Sequence, residues 1–132
     1  MTTPLGELMI RATAMPADAN PYGTAFVGWI MGQMALAAGA LVSRETGRRA
    51  PVVAADGFSF TAPLAVGDEL SCHAVIVARG RRSLTVAVDA VGRARHGTAQ
   101  SAVAQGRFTL VALDDGGAAG TPPDPATGEQ DG

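Results

Sequence analysis

The chain has 132 residues, 47% of them hydrophobic and 17% charged, with a formal net charge of −2. That length fits one compact domain, the apolar content supports a buried core, and the near-neutral charge argues against a dedicated nucleic-acid binder. A lone cysteine, Cys72, excludes an internal disulfide and a cysteine-based zinc site, and two histidines, His73 and His96, leave little for a metal centre, so none is expected. No basic stretch followed by an apolar core is found near the first residues, so no secretory signal is expected and the cytoplasm is the expected location. All ten basic residues are arginine, which leaves any phosphate recognition to arginine, hydroxyls or backbone amides.

Residues 5 to 14 are apolar and small and stop at Met15-Pro16, which predicts a first strand. Asp18-Ala19-Asn20-Pro21-Tyr22-Gly23 is a dense run of turn formers. No charge occurs from Thr24 to Val42; the segment is too long for one strand and reads as a helix. Thr24 is its expected N-cap, and Arg44 suits the negative end of its dipole. A membrane span needs about 20 apolar residues. This stretch is largely Ala, Gly and Met with Gln33 in its middle, which is the pattern of a buried core helix, so no membrane partner is expected.

After Gly47-Arg48-Arg49 the pattern becomes β. Residues 51 to 60 are rich in Val, Ala and Phe, and Pro63 with Gly67-Asp68 marks a break. Glu69 to Arg79 alternates, with Leu70, Cys72, Ala74 and Ile76 on one side. Gly80-Arg81-Arg82 makes a hairpin, Ser83 to Val91 turns Leu84, Val86 and Val88 inward, and Gly92 to Gly97 is a second turn. Thr98 to Leu113 is a long last strand with Phe108 and Leu110 on one face and Arg107 and Thr109 on the other. Residues 1–113 form the expected domain. Residues 114–132 lack any large apolar side chain and are expected to be a disordered tail. The sum is an α+β architecture, one long central helix wrapped by an antiparallel sheet of about five strands. Its exposed edges favour pairing with a second copy, so a homodimer is the expected minimal unit.

The stretch Met15-Pro16-Ala17-Asp18-Ala19-Asn20-Pro21-Tyr22-Gly23-Thr24-Ala25-Phe26-Val27-Gly28-Trp29-Ile30-Met31-Gly32-Gln33-Met34 resembles the signature of bacterial hotdog-fold acyl-CoA thioesterases of the broad-range cytosolic kind. Three further segments are similar to that family in the same order: Phe60-Thr61-Ala62-Pro63-Leu64-Ala65-Val66-Gly67-Asp68, Gly80-Arg81-Arg82-Ser83, and Thr109-Leu110-Val111-Ala112-Leu113-Asp114. The resemblance implies a hotdog fold and hydrolysis of an acyl-CoA thioester to free acid and CoA. It implies no cofactor beyond the CoA of the substrate; beyond the dimer expected from the sheet edges, tetramer and hexamer are both open. It also places the family's key acid directly after the Gln-Met pair and a second acid directly after the glycine of the turn; here those positions are Ala35 and Thr24.

Thioester hydrolysis needs an activated water or an attacking carboxylate, and a donor that polarises the carbonyl. Asp56, where the resemblance again implies an acid, is the candidate base. Asn20 and Thr24 are candidates to hold a water or the thioester carbonyl. Val27 and Gly28 are candidates to offer helix-start amides, with Gly28 allowing close approach to the backbone. Trp29 and Met31 are candidate acyl contacts, and Arg81, Arg82 and Ser83 a candidate clamp for the CoA phosphates. The alternative is a catalytically degenerate hotdog protein that binds acyl-CoA or serves as an assembly module. A hydratase would want an acid–histidine pair in the site, and neither His73 nor His96 falls in these motifs.

Overall fold

The structure, a computed structural model, describes residues 4–114; apart from Asp114, the expected tail lies outside the described residues. The chain runs β1 (Glu7–Thr13), a single 3-10 turn (Pro16–Asp18), α1 (Val27–Thr46), β2 (Val52–Phe60), β3 (Glu69–Arg79), β4 (Ser83–Arg93) and β5 (Gln100–Val111). The strands form one antiparallel sheet in the order β1-β3-β4-β5-β2. This is the one-helix, five-strand hotdog arrangement.

No proline interrupts α1, and alanine, the best helix former, recurs along it. Ile30, Met34, Ala37, Ala38, Leu41 and Val42 fall at helical spacing and are buried. This stripe packs on β1, β3, β4 and β5, and the small Ala37 and Ala38 let the helix lie close. The helix ends where Gly47 turns left-handed (φ 67°) and its N–H donates to the Ser43 carbonyl, a conformation that costs glycine no Cβ clash. Among the described residues no helix is long and apolar enough to cross a membrane.

Two expectations about α1 are corrected. The helix starts at Val27 rather than Thr24 and runs on to Thr46, past Val42. Thr24 is not its N-cap: Phe26 holds that place without a side-chain cap, because the Thr24 hydroxyl is already bonded by Asn20. At the far end Thr46 is buried and its hydroxyl donates back to the Val42 carbonyl at 2.7 Å, which satisfies a polar side chain inside the last turn.

The sheet alternates as its pattern predicts. Leu70, Cys72 and Ala74 on β3, Leu84, Val86 and Val88 on β4, and Phe108 and Leu110 on β5 are buried. Each fully buried leucine contributes about 1.5–3 kcal/mol. Burial pushes the Cys72 thiol up to about 12, so it stays protonated and is no nucleophile.

β2 is the exception. It is an edge strand, all but Phe58 exposed, and α1 leaves it all but uncovered. Val53 is 59% exposed and Phe60 41%. The strand carries two register shifts, between Val52 and Ala54 and between Asp56 and Ser59, the second at Gly57 (φ 66°). Bulges of this kind bend an edge and re-aim the side chains beside it.

Candidate functional site

The turn between β1 and α1 is organised by Asn20. Its Oδ1 accepts the amides of Tyr22 (2.8 Å) and Thr24 (3.1 Å), and its Nδ2 donates to Thr24 Oγ1 at 2.8 Å. Its own N–H donates to the Thr24 carbonyl at 2.7 Å. An asparagine that bonds its own backbone a few residues on is ordinary turn chemistry, and here it also fixes the amide's orientation. Thr24 then bridges to Ala65, and the Ala25 amide donates to the Leu64 carbonyl at 2.8 Å, pinning the β2–β3 connection against the helix start. The amides of Trp29 and Ile30 both donate to the Phe26 carbonyl. The helical ladder therefore begins there, and the amides of Val27 and Gly28 belong to the unfilled donors that open any α-helix.

Between this helix start and the chain leaving β2 lies a cleft of about 230 Å³, walled by Asn20, Thr24, Val27, Ile30, Phe60 and Pro63 with Ala25, Thr61 and Ala62. No acidic or basic side chain lines it. Its polar side chains are Asn20, Thr24 and Thr61, and the Thr61 hydroxyl is spent on the Ala102 carbonyl at 3.0 Å.

The cleft thus gathers Asn20, Thr24 and Val27 of the expected site. Gly28 is adjacent but serves a different end: the Phe26 ring occupies the space where its Cβ would stand, 2.4 Å from Phe26 Cε2, so the close approach is by Phe26. Trp29 packs against the core, and neither it nor Met31 lines the cleft. Ala35 lies eight residues beyond Val27, about 12 Å along the helix axis. It lines a separate apolar groove of about 500 Å³ with Ile10, Gly32, Leu36, Gly39, Ala40 and Ser43.

Asp56 is exposed on β2, opposite Arg107, and is no part of its own protomer's cleft. Arg81 and Arg82 are exposed on the β3–β4 turn. They do not join that cleft either: Phe60 pairs with Ala104 and Ser83 with Val111, so seven residues of β5, about 24 Å, separate the two ends. His73 stands opposite Asp89 on the sheet side alternate to buried Cys72 and Ala74, away from α1; the Asp89 carboxylate accepts the Leu5 amide at 3.2 Å. Among the described residues no cluster of His, Cys, Asp and Glu could hold a metal ion. The walls formed by Ile30 and by residues 60–63 were not foreseen as site residues. The Phe-Thr-Ala-Pro segment was visible as a motif, but only the folded chain shows that it returns to the helix start.

The family model of the thioesterase superfamily matches residues 22–97, which include the helix start, the cleft walls other than Asn20, and the β3–β4 hairpin. The chain is 44% identical over 112 residues to an uncharacterized acyl-CoA thioester hydrolase of Zymomonas mobilis, an alignment covering 85% of this chain and 75% of that one. It is 42% identical over 88 residues to the acyl-CoA thioester hydrolase YciA of Salmonella typhimurium, covering 66% of this chain and 65%, just under two thirds, of the relative. Its fold superposes on the hexameric thioesterase of Yersinia pestis with a TM-score of 0.87 and 34% identity, over 92% of this chain and 99% of that one. With the family model matched over more than half of the chain and a relative 44% identical over most of both chains, the chain belongs to the thioesterase superfamily.

Proposed function

We propose that this chain hydrolyses acyl-CoA thioesters to the free acid and CoA. The observation that carries the reading is the cleft at the start of α1, in a chain 44% identical over 112 residues to an acyl-CoA thioester hydrolase. In the reaction, the oxygen of a water adds to the thioester carbon, the carbon–sulfur bond breaks, and the sulfur leaves as a thiolate that takes up the proton released by the water. Donors at the helix start stabilise the charge that develops on the carbonyl oxygen. No cofactor is required beyond the CoA of the substrate, and a cytoplasmic location fits that substrate.

A carboxylate has to come from outside the protomer's own cleft. β2 forms one wall of the cleft through Phe60 and is an uncovered edge, so we assign it as the seam with a second copy. Antiparallel pairing of β2 with β2 across a two-fold axis brings the partner's strand start beside this strand's end. The partner's Arg81, Arg82 and Ser83 then lie at the same end as the cleft, three strand spacings or about 14 Å away. In that dimer the hairpin arginines meet the CoA phosphates, and Asp56, midway along β2 and three residues of β5 or about 10 Å from Phe60, is the candidate to activate the water. The dimer is the proposed unit of any larger ring, such as the hexamer formed by the Yersinia pestis relative.

One observation favours a second reading, binding of acyl-CoA without turnover: no carboxylate lines the cleft. A panel of short, medium, long and aromatic acyl-CoA substrates, followed as released thiol, separates the two. The expected outcome is turnover on at least one chain class, with Asp56→Asn lowering kcat at least tenfold at unchanged melting temperature. Measurable CoA binding with no turnover across the panel would establish the second reading, and turnover indifferent to Asp56→Asn would remove that residue from the mechanism.

A further inference from the structure

Besides the helix-start amides, the hydrogen bonds of the β1–α1 turn leave a hydroxyl hydrogen unspent. Both acceptor positions of the Asn20 carbonyl oxygen are taken by the amides of Tyr22 and Thr24, so its Nδ2 must face Thr24 Oγ1, and donates to it at 2.8 Å. An oxygen that has accepted from Asn20 is left with its own hydrogen to give. Among the described residues that hydrogen has no acceptor, and both side chains line the cleft. Thr61, the other hydroxyl there, is turned to the Ala102 carbonyl. The remaining walls are apolar, and the Phe26 ring fills the space where a Gly28 side chain would stand.

We propose that the Thr24 hydroxyl, held in place by Asn20, donates the hydrogen bond that polarises the thioester carbonyl oxygen. The proposal rests on the hydrolase reading and names a residue within it. Thr24 is a catalytic donor that keeps its proton throughout, neither base nor nucleophile; Asn20 is a positioning residue that turns the hydroxyl into the cleft. Position 24 is one at which the family resemblance implies an acid. A carboxylate there would present acceptors to an oxygen that needs donors, whereas a threonine presents a proton. In this chain a side-chain donor thus joins the helix-start amides, preorganised by three Asn20 side-chain bonds before any substrate arrives, as effective charge stabilisation requires.

Two readouts test this. On the best substrate of the acyl-CoA panel, Thr24→Val, which keeps the shape and loses the hydroxyl, is expected to lower kcat about 100-fold with KM little changed. Thr24→Ser is expected to recover most of the rate, and Thr24→Ala serves if the valine variant folds poorly. The second readout needs no turnover: a carba(dethia) acyl-CoA, with a ketone in place of the thioester, is bound and its carbonyl stretch recorded by infrared difference spectroscopy. The stretch is expected to shift to lower frequency on wild-type protein and Thr24→Ser, and to shift less on Thr24→Val. In Asn20→Ala, with the hydroxyl unheld, the shift is expected to shrink as well; a full shift there would remove the positioning role. An unchanged kcat together with an unchanged stretch in Thr24→Val overturns the proposal and leaves the hydrolase reading standing. A wild-type protein that turns over no acyl-CoA overturns that reading, while the stretch still decides whether Thr24 is the donor.

Discussion

A side chain of one carbon stands at position 35, half-buried on α1 in the groove it shares with Ile10, Gly32 and Gly39. The resemblance implies an acid there, and the fold shows that an acid would fit: the groove's small residues leave space, and its open side would let a carboxylate keep much of its hydration. The cost of Ala35→Asp is accordingly modest, about 1 kcal/mol. If the groove is the face that meets a second copy's cleft, the new carboxylate lies within reach of an attacking water. Ala35→Asp is therefore expected to raise kcat on acyl-CoA at least tenfold while lowering the melting temperature by a few degrees, with steady-state kinetics and calorimetry as the checks. Lost stability with no gain in rate would make position 35 a packing position only.

At the scale of an element, α1 is terminated by backbone geometry rather than by composition. Gly47 at φ 67° sits where an L side chain meets a steric penalty, so Gly47→Ala is expected to destabilise by about 1–2 kcal/mol, and Gly47→Asn by less. Urea unfolding measures both; an alanine variant as stable as the parent would mean that the helix frays before Gly47 and the left-handed turn carries no load. The same element shows what the sequence made legible. β3 could be bounded at Glu69 and Arg79 because alternation stops at Gly67-Asp68 on one side and Gly80 on the other. The helix ends could not, because both depend on long-range or competing bonds. Asn20 takes the Thr24 hydroxyl that a local reading gives to the cap. At the other end, beyond the charge-free stretch that closes at Val42, Thr46 is still helical, buried and self-satisfied through Val42. The site divides in the same way. Asn20, Thr24 and Val27 share one motif and were visible together, whereas Phe60, Thr61 and Pro63 reach the cleft only because β2 turns back on the helix start.

For the whole molecule, the distribution of exposure matters more than its amount. β2 carries three exposed large apolar side chains, Val52, Val53 and Phe60, along an edge with free backbone donors and acceptors. Proteins blunt such edges with lysine, proline or cover, and this one has no lysine in its sequence to spend. The uncovered edge is coherent if it is a seam, and the opposite placement of the cleft and the Arg81-Arg82 hairpin within one protomer then has a reason: each copy supplies the end that the other lacks. Val53→Lys tests this at the scale where it belongs. Val53 is 59% exposed, so a lysine there leaves the protomer's core untouched and should preserve the far-ultraviolet dichroism of the parent. It places a charge on the apolar stretch at each end of the two-fold seam, against the end of the other copy's strand, and the mass from light scattering is expected to fall from an oligomer to a monomer. Because the cleft then loses the partner's arginines, kcat/KM on acyl-CoA is expected to fall at least tenfold with it, recovering at protein concentrations high enough to restore assembly. A folded monomer that turns over acyl-CoA as fast as the parent would mean that each protomer holds a complete site and that β2 is uncovered for some other purpose.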